Sequence, residues 1–101
     1  MAEASIEPGK QGELLFAGQL SFHTVPALWQ TCRKYMQGAS INTINLEKVT
    51  NSDSAGLALV IACIREAAQK NSQPLRLINM PEQMHTIARI SELDEIFGLK
   101  L

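Results

Sequence analysis

The chain is poor in several things that mark common classes of protein. Only two of its 101 residues are cysteine, and aromatic residues make up 5%. No apolar run approaches the roughly 20 residues needed to span a bilayer. Charge of one sign does not dominate either: nine basic residues against ten acidic ones leave a formal net charge of -1. The basic residues are scattered along the chain, without the stripe or patch that binds nucleic acid or an acidic membrane surface. Met1 to Lys10 carries Glu3 and Glu7 and no hydrophobic block, so it does not read as a secretory signal. The expected location is therefore the cytoplasm.

The chemistry-bearing motifs are equally sparse. His23 and His85 lie far apart and outside any CxxC or HExxH context, so no metal set is expected. There is no GxGxxG or Walker-type loop for a nucleotide phosphate and no GxSxG elbow for a nucleophilic serine. No cofactor-binding residues are identified, and the chain reads as non-enzymatic. Cys32 and Cys63 both fall within apolar helical patterns and read as reduced core residues.

What is present is an ordinary globular balance, 46% hydrophobic and 19% charged, in a length that supports one core. Residues 1–11 are polar, with Pro8 and Gly9, and read as a flexible leader before a domain over 12–101. Glu13 to Ala17 and Leu20 to Phe22 read as two strands joined at Gly18-Gln19 in a hairpin. Thr24 and Pro26 suit the start of a helix over 25–37, with Val25, Leu28, Trp29, Cys32 and Met36 at helical spacing. Ile41 to Leu46 reads as a strand and Lys48 to Ser52 as a loop. A second helix is expected over 54–69, with Leu57, Val60, Ile61, Ile64 and Ala68 as its apolar stripe. Leu75 to Ile78 reads as a strand, and Asn79-Met80-Pro81 as the approach to a third helix. Leu93, Ile96, Phe97 and Leu99 give the tail a final strand or helical turn. Strands alternating with helices imply an α/β fold with a partly parallel sheet. Trp29 and the methionines Met36, Met80 and Met84 are expected in the core or at an interface.

The stretch most like a site is Asp53-Ser54-Ala55-Gly56-Leu57, between a strand and the second helix. An acid there can cap the helix, leaving Ser54 at its first position. A hydroxyl so placed lies in the positive field of the helix N-terminus, where it can meet a partner or carry a phosphate. Gly56, without a side chain, is expected to let a partner's surface come close to the turn.

These residues resemble a known family. The strand–strand–helix beginning, the strand ending Ile44-Asn45-Leu46 and the Asp53-Ser54-Ala55-Gly56-Leu57 turn look like a STAS domain, over about Gly12 to Phe97. The resemblance implies a single STAS domain, with a mixed sheet of four or five strands and helices mainly on one side. Pro26-Ala27-Leu28-Trp29 and the run from Asp53 to Leu59 resemble the small STAS subunit of Mla-type phospholipid-transport ABC systems. That likeness implies a regulatory and assembly subunit with no chemistry of its own. Its partner would be the ABC ATPase subunit of a phospholipid transporter, bound through Asp53, Ser54, Ala55, Gly56 and Leu57. It would reach the inner face of the inner membrane only through that complex, which maintains outer-membrane lipid asymmetry. The alternative is an anti-sigma-factor antagonist bound by a serine kinase and phosphorylated at Ser54. In that branch the turn usually reads Asp-Ser-Ser/Thr-Gly-Leu-Gly. Ser54 matches the phosphorylated serine, while Ala55 and Ala58 depart from the pattern.

Overall fold

The structure, a computed structural model, describes residues 3–38, 40–71 and 75–90. The elements in chain order are β1 (Ala4–Pro8), β2 (Glu13–Leu20), α1 (Val25–Gly38), β3 (Thr43–Ser52), α2 (Ser54–Asn71), β4 (Arg76–Ile78) and α3 (Glu82–Ile90). The strands form one four-stranded sheet in the order β1-β2-β3-β4. β1 is antiparallel to β2, while β3 is parallel to both β2 and β4. The expected mixed sheet is present. Its two parallel crossovers, through α1 and α2, step across the sheet in the same direction. With the usual right-handed connection, that puts both helices on one face. α3 packs against α2 on the same layer.

The hairpin differs from the expected one. Glu13–Leu20 is a single strand, and its antiparallel partner is β1, which lies inside the expected flexible leader. Composition misled here because Glu7 and Pro8 are exposed on an edge strand, where polar residues and proline are tolerated. Only Ile6 of β1 is buried, opposite Phe16. One inward residue in a five-residue strand leaves almost no alternation to read. Gly18 lies at φ 87°, and a side chain there would meet Ala4 Cα at 2.9 Å, so β1 crosses β2 where only glycine fits.

β3 is also longer than expected, since the residues read as a loop, 48–52, continue the strand. The β2–β3 register shifts between Leu15 and Ala17 and again between Gly18 and Gln19, each time with one additional residue on β3. Burial consequently falls at Leu46, Val49 and Ser52, a spacing of three that hides the strand's normal period of two.

The core lies between the sheet and the helices. Leu14, Phe16 and Leu20 of β2 and Ile44 and Leu46 of β3 face Leu59, Val60 and Cys63 of α2 and Cys32 of α1. α2's buried stripe runs through Leu57, Val60, Cys63 and Ala67, with Leu59 beside it, while Ile61 and Ile64 are half-buried and Ala68 is exposed. Met36 and Met84 are core residues, and Met80 is half-buried. The two cysteines are free, fully buried and in contact, as expected of core thiols. Their mutual hydrogen bond, then burial, pushes the Cys63 thiol far above its ordinary range, so it is neutral at physiological pH. The expected tail element at 92–101 lies outside the described residues.

On the opposite face of the sheet, Asn45 is 8% exposed, and both polar atoms of its side chain are hydrogen-bonded. Its Oδ1 accepts from the Glu47 amide at 2.9 Å and from Asn79 Nδ2 at 3.1 Å, and its Nδ2 donates to Glu13 Oε2 at 3.5 Å. Asn79 reaches it from a left-handed conformation, φ 59°, that asparagine tolerates. The network ties the start of α3's connection to the centre of the sheet.

Ile6→Ala tests the placement of β1. Deleting a buried isoleucine side chain beside Phe16 is expected to cost about 2–5 kcal/mol in urea denaturation. A loose leader would give a change within about 0.5 kcal/mol.

Candidate functional site: the turn at the start of the second helix

β2 and β3 end together. Leu20 pairs with Ser52, and the Asp53 amide then donates to the Leu20 carbonyl at 3.1 Å. α2 begins at the next residue, so its N-terminus is held at the carboxyl ends of two parallel strands, the edge where α/β folds place their sites. Asp53 is the N-cap. Its Oδ1 accepts from the Ala55 amide at 2.8 Å and from the Gly56 amide at 3.4 Å. Its carbonyl accepts from the Gly56 and Leu57 amides. The amides of Ala55, Gly56 and Leu57 are thereby engaged, and Ser54 precedes them at the first helical position, exposed.

The five residues of the motif divide sharply. Asp53 and Ser54 are exposed and Ala55 is half-buried, whereas Gly56 and Leu57 are buried. The expected role of Gly56 is therefore corrected, since it faces inward. A Cβ at this position would collide with Ser52 Oγ and lie 2.8 Å from Leu20 Cβ. The glycine lets α2 sit down on the ends of β2 and β3, and leaves no opening for a partner. Leu57, 3% exposed, is a core residue. Of the expected partner-facing set, the surface keeps Asp53, Ser54 and part of Ala55.

Further groups fix the turn from behind. Ser52 is buried; its Oγ donates to the Asp53 carbonyl at 3.1 Å, and its amide donates to Gln83 Oε1 of α3 at 2.8 Å. Gln83 thus connects α3 to the residue before the cap, a link between residues 31 apart that no local pattern reveals.

The neighbouring loop supplies the residue that sequence reasoning missed. Phe22 was expected to end a strand, but it is 80% exposed, the large hydrophobic side chain that stands out from the surface among the described residues. Phe22 and Ser54 each lie two residues past the last paired rung, Leu20–Ser52, so both project from the same edge of the sheet. The loop is held in shape. Thr24 Oγ1 donates to the Gln19 carbonyl at 2.8 Å and accepts from the Ser21 amide at 2.9 Å, while the Ser21 carbonyl accepts from the Thr24 and Val25 amides. Thr24, expected to cap α1 with its side chain, instead turns it back to the end of β2. His23 is exposed beside Phe22, with ring centroids 6.5 Å apart. A signal was available: Phe22 is an isolated aromatic between Ser21 and a helix start, with no alternating neighbour to continue a strand.

From Ser54 the outer face of α2 continues through Ala58 and Ala62 at intervals of four. These small residues, with Leu59, face Val25, Pro26 and Trp29 of α1 across an apolar groove of about 220 Å³. The Arg33 guanidinium stacks 5.7 Å from the Trp29 ring centre. Among the described residues no group of three metal-ligating side chains occurs, and no helix is long and apolar enough to cross a membrane.

A mixed four-stranded sheet with a helical layer on one face, and a capped serine turn at its carboxyl edge, defines an α/β domain of the STAS type. The family model described as "Mlab, STAS domain" matches residues 6–100, and the chain belongs to the STAS-domain family. An anti-sigma-B factor antagonist from Staphylococcus aureus is 32% identical over 89 residues, covering 87% of this chain and 76% of the relative. The fold is shared with the anti-sigma factor antagonist SpoIIAA in its unphosphorylated form, at a TM-score of 0.68 and 19% identity over 97% of this chain and 99% of that one. It is shared likewise with an anti-sigma factor antagonist from Mycobacterium paratuberculosis, at a TM-score of 0.72 and 19% identity over 95% and 82%. The chain is thus a STAS-domain protein similar to anti-sigma factor antagonists.

Two substitutions test the turn. Gly56→Ala forces a methyl against Leu20 and Ser52 and is expected to lower stability by about 1–3 kcal/mol in urea denaturation. Asp53→Ala removes the cap and is expected to cost about 0.5–2 kcal/mol, with Asp53→Asn close to wild type. An Ala variant equal to wild type at either position would contradict this packing.

Proposed function

We propose that this STAS domain is a non-enzymatic interaction switch of the anti-sigma-factor-antagonist type, working in the cytoplasm. Its partner is an anti-sigma-factor serine kinase, and Ser54 is both the contact residue and the phosphorylation site. The observation that carries the reading is the exposed Ser54 hydroxyl on a backbone that Asp53, Ser52 and Leu20 hold rigid. A protein that must be recognised by a kinase, and lose a partner on modification, needs such a hydroxyl in a fixed place. The cap explains how modification would act. Asp53 already occupies the amides of Ala55 and Gly56, so a phosphate on Ser54, bringing about -1.5 to -2 charges, would face a carboxylate and find those donors taken. The added charge is then presented to the partner and repels or displaces it. The 32% identical Staphylococcus aureus antagonist supports this reading. So does the shared fold of SpoIIAA, which exists in unphosphorylated and phosphorylated forms.

A stable contact buries about 800 Å² on each partner, more than one turn supplies. Phe22 and His23, on the same edge as Ser54, extend the footprint, and an exposed aromatic is a typical anchor at the centre of an interface.

A second reading is favoured by the family model's description and by Ala55 and Ala58, which depart from the antagonist pattern. In it the same turn docks on the ATP-hydrolysing subunit of a phospholipid-transport ABC complex at the inner face of the inner membrane, and Ser54 stays unmodified.

Affinity capture of the tagged native protein with mass spectrometry separates the two. A serine kinase, together with a phosphate on Ser54 in the intact mass, is the expected result; an ABC ATPase with its permease transfers the site to the second reading. In either case Ser54→Arg is expected to weaken the captured partner at least tenfold, about 1.4 kcal/mol, while stability changes by less than about 0.5 kcal/mol. Undiminished binding by Ser54→Arg would remove the turn from the interface and sink both readings.

A further inference from the structure

The helices that flank the groove are also joined by the two cysteines. Cys32 of α1 and Cys63 of α2 are both fully buried, and their sulfurs are 2.7 Å apart. A disulfide bond is about 2.05 Å long, so the two atoms need close by only about 0.7 Å. No other residue separates them, and each belongs to a helix already packed on the other. Trp29 precedes Cys32 by three residues and Leu59 precedes Cys63 by four, so on each helix a groove-lining residue is the same-face neighbour of a cysteine. A small neutral oxidant entering between Val25, Trp29 and Ala62 is therefore one helical turn from the sulfurs.

We propose that Cys32 and Cys63 are a latent crosslink, oxidised by hydrogen peroxide to a disulfide that bolts α1 to α2. One sulfur, as thiolate, attacks the peroxide O–O bond. It becomes a sulfenic acid, and the departing hydroxide takes up a proton and leaves as water. The second sulfur attacks the sulfenic sulfur, the S–S bond forms and the S–OH bond breaks, releasing a second water. The two thiols lose two electrons and two protons, and the peroxide is reduced to two waters. Proximity decides the product: the sulfenic acid meets the second sulfur before it meets another oxidant, so oxidation stops at the disulfide. Burial makes the first step slow, since the thiolate is the attacking species and neither sulfur touches bulk water. The crosslink spans 31 residues and fixes the helix that carries Ser54 to the one that carries Trp29.

The test treats the full chain with hydrogen peroxide until glutathione in the same tube is fully oxidised. Free thiols are then blocked and the peptides mapped. The expected product is a monomer that has lost two hydrogens at a linked Cys32–Cys63 peptide, melts roughly 5 °C or more above the reduced protein, and reverts with reductant. Cys32→Ser and Cys63→Ser are each expected to abolish both the linkage and the rise in melting temperature. Oxygen addition at either cysteine without linkage, a crosslink between two chains, or two thiols still free at the end point overturns the proposal. A melting temperature unchanged by a verified linkage overturns its part in joining the helices.

Discussion

The amide of Asp53 donates to the carbonyl of Leu20, one step beyond the last paired rung of β2 and β3. That bond fixes where the sheet stops and where α2 starts. Gly56 then lies against Leu20 and Ser52 with no room for a side chain, which sets the height at which the helix rests on the sheet. Once those positions are set, Leu59, Val60 and Cys63 fall over Phe16, Leu20 and Leu46 in the core, and Cys32 of α1 meets Cys63. The exposed serine is a by-product of the same geometry: with Asp53 as cap and Gly56 pointing inward, the residue between cap and first turn has nowhere to face but solvent.

The outer surface at this edge combines groups of different character within one rigid frame. Ser54 offers a hydroxyl, Asp53 a charge whose acceptor is engaged with the helix, and Phe22 a large apolar ring on a loop tied down by Ser21 and Thr24. A frame this constrained presents the same surface to each encounter, so little conformational freedom is lost on binding. The link from Gln83 to Ser52 extends the frame to α3, whose approach is in turn anchored by Asn79 on Asn45. These links hold the edge in one arrangement from three elements at once.

The sequence was most readable where one physical signal ran uninterrupted. α1, α2 and α3 carry helical periodicity over at least two turns, and their positions were legible to within a few residues. Asp53 as cap and Ser54 at the first helical position were legible too, because capping is a local matter of one side chain and the amides just beyond it. Legibility failed where distant segments met. Residues 4–8 became β1 through pairing with a strand ten residues further on, and 48–52 became strand through bulges that broke the alternation. The inward face of Gly56 was hidden for the same reason, since Leu20, which it touches, comes from another element.

Local chemistry thus determined the α/β order of the elements, the cap and the serine that follows it, because each of these depends on residues within a few positions of one another. The tertiary structure decided which residues of the Asp53–Leu57 run face solvent and which face the core. It also decided that Phe22 and Ser54 lie on the same edge of the sheet, and that Cys32 and Cys63 touch. Those outcomes depend on the register of β2 on β3 and the seat of α2 upon them, quantities set by packing across the whole core and encoded in no single stretch of chain.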